Sequence, residues 1–305
     1  MKTSVKIIIF MVMVFGVFYF KDEIINTLTE PAKKTTSIKQ VIIPKDNAYK
    51  IFASEYAYVQ NTNKFIPKEK QDIMNIVYTV LNSGWDTFTF YCPKEYDECV
   101  NDVTSITNDN ELLSNINNYV HPFNSFKTIE TNYTTSGEVT FVVHKLYNNE
   151  MIEELNKKVD EIIINNIYDN MTDREKIKVI HDYIINNTKY DTEKISGVTR
   201  GNSNNAYGVL TTGYGICSGY TDAMALFLNK MNIQNIKVSS DKHIWNLVFV
   251  DGKWKHLDLT FDDPVTDPPE DIISEDYFLI DSETIIKQDN TNQHNYDKEV
   301  FVEAN

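Results

Sequence analysis

Only three cysteines, Cys92, Cys99 and Cys217, occur in 305 residues. So few exclude a disulfide-stapled scaffold and a four-cysteine zinc site. Basic residues are also scarce: 29 Lys and Arg face 44 Asp and Glu, for a formal net charge of −15. So acidic a chain lacks the basic surface that phosphate contacts demand, which argues against nucleic acid as a partner. No internal repeat is evident. The glycines near Cys217 form no phosphate-binding fingerprint, since both the pattern and a preceding strand are missing. What is present is ordinary: 42% hydrophobic and 24% charged residues, which excludes wholesale disorder. At ~150 residues per domain, the length predicts about two domains.

One long apolar run exists, Ile7 to Phe20, interrupted only by Gly16 and flanked by Lys2, Lys6 and Lys21. It is short against the ~20 residues of a spanning helix, but flanking lysines can snorkel and extend the span. No small-x-small cleavage site follows Phe20, and no cysteine is there to carry a lipid. Residues 1–21 therefore read as a signal anchor in preference to a cleaved signal peptide. Either reading places the body of the chain outside the cytoplasm, tethered to the membrane or secreted. Residues 22–48, with Pro31 and Pro44 and no sustained apolar period, read as a linker. In an oxidising compartment Cys92 and Cys99 could pair, the alternative being two free buried thiols. Cys217 has no evident partner.

Residues 49–168 read as an α+β domain. Helices are expected at Lys68 to Leu81, Leu112 to Val120 and Met151 to Ile167, and strands at Trp85 to Tyr91, Phe126 to Thr131 and Val139 to Leu146. No chemistry is legible there. Residues 169–305 differ. Thr172 and Glu175 have capping-box spacing, and a helix follows through Ile177, Ile180, Tyr183 and Ile184. A polar segment from Asn186 to Tyr207 leads to glycines around Cys217. An amphipathic helix comes next, with Tyr220, Ala223, Met224, Phe227, Leu228 and Met231 on one face. Two strands around Asp251-Gly252 then form a hairpin.

Cys217 opens that helix. The first turn leaves backbone N–H groups unpaired and carries partial positive charge, and both favour a thiolate. The glycines beside it would let a substrate approach the backbone. If Asp251-Gly252 is a two-residue turn, Val250 faces Lys253, His243 falls opposite Thr260, and Trp245 falls opposite Asp258. His243 and Asp258 are then diagonal neighbours on one face, ~7–8 Å apart between backbones and within side-chain reach. A carboxylate orienting an imidazole that faces a cysteine is the orienter, base and nucleophile arrangement of covalent catalysis. The histidine follows the cysteine by 26 residues (217 to 243) and the aspartate follows by 15 (243 to 258). This is too compact for papain-type spacing.

These stretches resemble the transglutaminase-like superfamily in its bacterial exported branch. The matching segments are Tyr214-Gly215-Ile216-Cys217-Ser218-Gly219-Tyr220, His243-Ile244-Trp245-Asn246, and Trp254 to Pro264 with Asp258 at its centre. His181-Asp182-Tyr183-Ile184 and Tyr190-Asp191 are similar to the family's upstream helix and the segment after it. The resemblance covers roughly residues 170–280. It implies a papain-like α+β core, a cysteine-bearing helix packed on an antiparallel sheet, within a catalytic domain at 169–305. It implies Cys217 as nucleophile, His243 as base and Asp258 as orienter, acting on protein or peptide substrates through a thioester that passes to an amine or to water. No cofactor or metal is implied. Phe261 stands where many relatives carry tryptophan, and both being large aromatics, no loss of chemistry is expected. The oxyanion needs donors: the Cys217 N–H is one, Tyr190 is a candidate for the second, and Tyr207 is a weaker one. Cys217, His243, His256 and Asp258 also have zinc-ligand chemistry, but no closely spaced cysteine or histidine pair supports that reading. The acidic stretch Asp262 to Asp276 lacks a calcium-loop pattern and reads as solvated. A non-catalytic cell-surface binding module that retains the fold is the alternative function.

Overall fold

The apolar period at Ile73, Ile76, Val77 and Val80 folds as helix α1 (Lys70–Asn82), with all four side chains buried. The chain leaves it through Gly84 at φ +67°, a left-handed conformation that glycine adopts without strain. Residues 41–52, 56–195, 197, 201–265 and 272–305 are described in this computed structural model. The expected anchor and most of the linker lie outside them. Among the described residues no helix is long and apolar enough to cross a membrane.

Strands β1 (Thr87–Tyr91), β2 (Phe126–Tyr133) and β3 (Glu138–Lys145) form an antiparallel sheet in the order β1-β3-β2. Helices α2 (Cys99–Asn108) and α3 (Asn110–Asn117) lie between β1 and β2 in the chain. Helix α2 begins at a Cys92–Cys99 disulfide. Helix α4 (Asn149–Asn166) leads to α5 (Asp173–Asn187). The capping box forms as expected: the Glu175 N–H donates to Thr172 Oγ1 (3.3 Å) and the Thr172 N–H to Glu175 Oε2 (2.7 Å).

The polar segment after α5 holds a short strand, β4 (Lys189–Tyr190), paired in parallel with β5 (Tyr214–Gly215). Helix α6 (Cys217–Lys230) follows, and then the antiparallel sheet β6 (Asn235–Ser239), β7 (Ile244–Val250) and β8 (Lys253–Leu257), in that order. Asp251 and Gly252 both take positive φ, 55° and 75°, as a two-residue hairpin turn requires. The register is the expected one, Val250 opposite Lys253 through Asn246 opposite Leu257. Beyond Leu257 the ladder ends: Asp258 N–H donates to Tyr277 O, and His256 bridges to Ile280.

This second sheet separates two apolar cores. Ile236, Val238, Trp245 and Leu247 join the core of α1 and the first sheet, with Phe301 from the C-terminus. Val248, Val250 and Leu257 join the core of α4, α5 and α6. Both cores draw residues from either side of the 168/169 boundary, so packing runs across it, and residues 41–305 form one compact unit. Helix α6 is not one-sided, as its period suggested, because every residue from Gly219 to Leu228 is buried. The buried Asp222 is tolerated because Lys237 Nζ lies 3.1 Å from one carboxylate oxygen and the Tyr147 hydroxyl donates to the other at 2.8 Å.

Candidate active site

Cys217 is the first residue of α6, where N–H groups lack helical partners. The chain reaches it through β5, which β4 anchors. The Ile216 N–H donates to Ser203 O at 2.8 Å. Gly219 makes close approach possible, but to the chain itself and not to a substrate: a Cβ there would meet Ser203 O at 2.5 Å. Thr221 Oγ1 lies 2.8 Å from Cys217 O and 2.9 Å from Ile244 O, and Asn246 Nδ2 donates to Thr221 O at 3.0 Å. These bonds tie the start of α6 to the start of β7, beside His243.

His243 is 5% exposed. Its N–H donates to Ser240 Oγ (3.2 Å), and its carbonyl accepts from Ser240 N–H (2.9 Å). The imidazole stacks on Trp245, centroids 5.6 Å apart and planes 17° apart, and tilts against Phe261 at 5.0 Å. The aromatic at 261 therefore packs on the imidazole. Nε2 lies 2.6 Å from Asp258 Oδ2. The Cys217 side chain is the next group to act on the ring, and Nδ1 is the nitrogen that Asp258 leaves free to face it. Burial opposes charge on this imidazole, but the Asp258 carboxylate, and secondarily Cys217, override it and raise its pKa from 6.5 to about 10. Burial likewise opposes charge on Asp258, while His243 and His294 hold its carboxyl well below the usual range.

His294 was not foreseen from sequence. Its Nε2 lies 2.9 Å from the same Asp258 Oδ2. Oδ1 accepts from the N–H groups of Thr260 (2.9 Å) and Phe261 (3.2 Å). The buried carboxylate thus receives four N–H donors. The two imidazole nitrogens and Oδ2 lie within 4.8 Å of one another. A carboxylate oxygen here can only accept, so both nitrogens aim protons at it and offer no lone pair to an ion.

His181, in the first segment of the family resemblance, is wholly buried. Its Nε2 lies 3.1 Å from Asp262 Oδ2, and its Nδ1 2.9 Å from Asp182 Oδ1. Asp262 Oδ1 also accepts from Tyr277 N–H at 2.9 Å. This pins the chain after Asp258 to α5. Tyr190 sits opposite Gly215 in the β4–β5 pair, two residues before the cysteine. Burial, followed by the charges of Cys217 and Asp258, raises its hydroxyl pKa, so the phenol lies in the field of both. Tyr207 points elsewhere, donating to Glu154 Oε2 at 2.7 Å. His256 does not join Cys217: it accepts from Trp245 Nε1 (2.9 Å) and faces Ser282 Oγ (3.0 Å). A cleft of about 500 Å³ opens beside Tyr190, lined by Lys189, Thr212, Tyr214 and Asp263 among others.

Comparison with known proteins matches residues 163–259 to the family described as the Transglutaminase-like superfamily. No curated protein matches the chain. Among solved structures, one described as a TGase is similar at 15% identity with a TM-score of 0.33, over 44% of this chain and 44% of that one. A second, described as a putative cysteine protease from Cytophaga hutchinsonii, is similar at 14% identity with a TM-score of 0.28, over 43% of this chain and 61% of that one. The chain thus spans less than two thirds of the length of either.

Proposed function

We propose that this chain, whose residues 163–259 fall in the transglutaminase-like superfamily, is a thiol enzyme that transfers acyl groups from protein or peptide substrates. The observation that carries the reading is the His243 imidazole held between Asp258 Oδ2, at 2.6 Å, and the side chain of Cys217 at the start of α6. The Cys217 sulfur attacks a carboxamide or peptide carbonyl carbon as the thiolate. The carbonyl oxygen takes the electron pair, with the Cys217 N–H and the Tyr190 hydroxyl as donors. The C–N bond then breaks, and His243 gives its proton to the departing amine. An amine or a water, deprotonated by the now neutral His243, attacks the thioester and releases the thiolate. The amine route cross-links and the water route hydrolyses. Asp258 keeps the Nε2 proton in place throughout, so that Nδ1 does the chemistry.

The apolar run at 7–20 and the Cys92–Cys99 disulfide support a setting outside the cytoplasm, since disulfides persist in oxidising compartments. The substrates are then extracellular or cell-surface polypeptides. The test is to incubate the protein and Cys217→Ala with glutamine-containing peptides and a primary amine, and to follow products by mass spectrometry. Amine-coupled, deamidated or cleaved peptide that depends on Cys217 is expected. No Cys217-dependent product on any peptide, with the thiol intact, would leave only a binding module of the same fold.

A further inference from the structure

The second imidazole on Asp258 takes no part in the acyl transfer proposed for Cys217 and His243, and it lies outside the matched stretch. His294 is 1% exposed. Tyr277 stacks on its ring with centroids 5.2 Å apart and planes 19° apart, and Phe261 and Trp245 pack edgewise at 4.5 and 4.9 Å. A phenyl ring would suit these neighbours at least as well, and an imidazole in their place must pay for desolvation. The chain also spends structure on aiming it. Asp289 Oδ2 accepts the His294 N–H at 2.7 Å, while Asp289 Oδ1 accepts the Thr291 N–H (2.9 Å) and hydroxyl (2.7 Å). The preceding residue is tied to the catalytic loop as well, since the Ser240 hydroxyl donates to Gln293 O at 2.6 Å.

We propose that His294 is a positioning residue that acts through Asp258: its Nε2–H draws part of the Oδ2 charge away from His243 and so sets how readily His243 gives up its proton. This rests on the acyl-transfer reading. Thr260 and Phe261 hold Oδ1 from the backbone, so the carboxylate keeps its place without His294. What His294 alters is the charge that Oδ2 presents to the other imidazole. A carboxylate oxygen with a single donor binds it more tightly than one shared between two. The reaction needs His243 as an acid in the first half and as a neutral base in the second, and an imidazole held too firmly as the cation stalls on the thioester. The groups that face His294 are Asp258 and Asp289 (Nδ1 to Oδ2 3.6 Å), His243 with ring centroids 5.4 Å away, the Tyr277 phenol, and His256, whose charge state it influences. Replacing His294 by an uncharged ring moves His243 in the same direction whether His294 is neutral or cationic.

The test is a pH titration of the histidines by NMR in full-length protein labelled with 15N-histidine, with His294→Phe and His294→Gln alongside the wild type. There are six histidines to assign. The phenyl ring keeps the packing and removes the donor, and the glutamine amide restores an N–H at the reach of Nε2. The His243 midpoint is expected to rise by about one pH unit in His294→Phe and to stay near wild type in His294→Gln. In turnover, the phenylalanine variant should build up thioester and deacylate about tenfold more slowly, because the neutral fraction of His243 falls tenfold per unit. An unchanged His243 midpoint in folded His294→Phe overturns the proposal. If that variant does not fold, His294→Asn, whose amide is too short to reach Oδ2, takes its place, and equal midpoints in the asparagine and glutamine variants overturn it. Alkylation of Cys217 in the wild type and in His243→Ala reads the underlying mechanism separately. Equal rates there would remove the acyl-transfer reading while leaving the histidine titration to judge the Asp258–His294 link.

Discussion

Asp258→Asn is the substitution with the most legible consequence. The carboxylate has four N–H donors, His243 and His294 on Oδ2 and Thr260 and Phe261 on Oδ1. An asparagine has one oxygen, so in either orientation its NH₂ faces two of those donors. If the amide faces the imidazoles, His243 must turn its tautomer to accept, which puts a proton on Nδ1, the nitrogen proposed to act as base. If it faces the backbone, Thr260 and Phe261 lose their partner. Two hydrogen bonds to a charged group are lost, at about 1.5–3 kcal/mol each, or roughly 3–6 kcal/mol. For a chain of this size, ~2–4 °C per kcal/mol makes a fall in Tm of about 6 °C or more. The charge on His243 changes further. With the carboxylate gone, burial dominates and pushes the imidazole from about 10 to below its ordinary 6.5. At pH 8 the cationic fraction then drops from nearly all to about 3% or less, at least ~30-fold. The first-turnover release of ammonia from a glutamine peptide, which needs that proton, should fall by at least as much. The assays are 15N NMR of His243 at pH 8, single-turnover ammonia release and differential scanning calorimetry. A His243 that stays cationic at pH 8 in Asp258→Asn, with release within threefold of wild type, refutes the reasoning.

Other substitutions probe separate parts of the molecule. Tyr190→Phe should lower kcat by about 10²–10³ with little change in Tm if its hydroxyl is an oxyanion donor, whereas Tyr207→Phe, which loses only its bond to Glu154, should leave kcat unchanged. Lys237→Met strands the buried Asp222 charge and should cost about 3–5 kcal/mol in urea unfolding; Asp222→Leu in the same chain should recover part of it. His121 and His256 are held neutral by burial, each with its pKa lowered from 6.5 to about 3. Their contribution is complete above pH 6.5 and is lost as pH falls toward 3, because the unfolded chain takes up the protons first. Between pH 6.5 and 5 each costs about 2 kcal/mol, so His121→Phe should lose that much less stability than wild type over the same interval. His243 runs the other way: its contribution is full below pH 6.5 and is lost toward pH 10.

The sequence exposed the parts of the site that regular structure positions. Asp251-Gly252 fixes a two-residue turn, the strand period of two fixes the faces, and together they bring His243 to Asp258. The period of two ends where the ladder ends, at Leu257. Asp258 already bonds to Tyr277 O and not to β7, and His294 sits in a loop with no period to count, set by an Asp289 turn and a bond to Gln293 O. Helix α2 was missed for a related reason. Its segment, CVNDVTSITN, is rich in Thr, Asn and Asp, which favour caps and turns, and its buried residues are only Cys99, Val103 and Ile106. Tertiary packing and the disulfide at its first residue hold it. A sequence cannot tell which backbone comes close to a glycine, and at Gly219 it is Ser203 of the same chain.

The matched stretch ends at residue 259, just after Asp258, and this divides the site into parts with different physical demands. Cys217, His243 and Asp258 need only a helix start and one hairpin, a short local unit that falls within residues 163–259. Holding them is another matter. Asp258 is buried and charged, which is tolerable only if every acceptor direction is filled. One of its imidazole donors comes from position 294, and Tyr277 and Asp262 close the loop that follows it. Within helix α6, Asp222 is held by Tyr147 and Lys237, and Lys237 in turn lies 3.3 Å from Ser125 Oγ. The first half of the chain, silent in sequence, therefore supports the elements that carry these residues: it supplies polar partners to α6 and the apolar core against which the second sheet packs. The buried His243–Asp258 pair is closed off by aromatic rings, Trp245 and Phe261 on His243 and Tyr277 on His294.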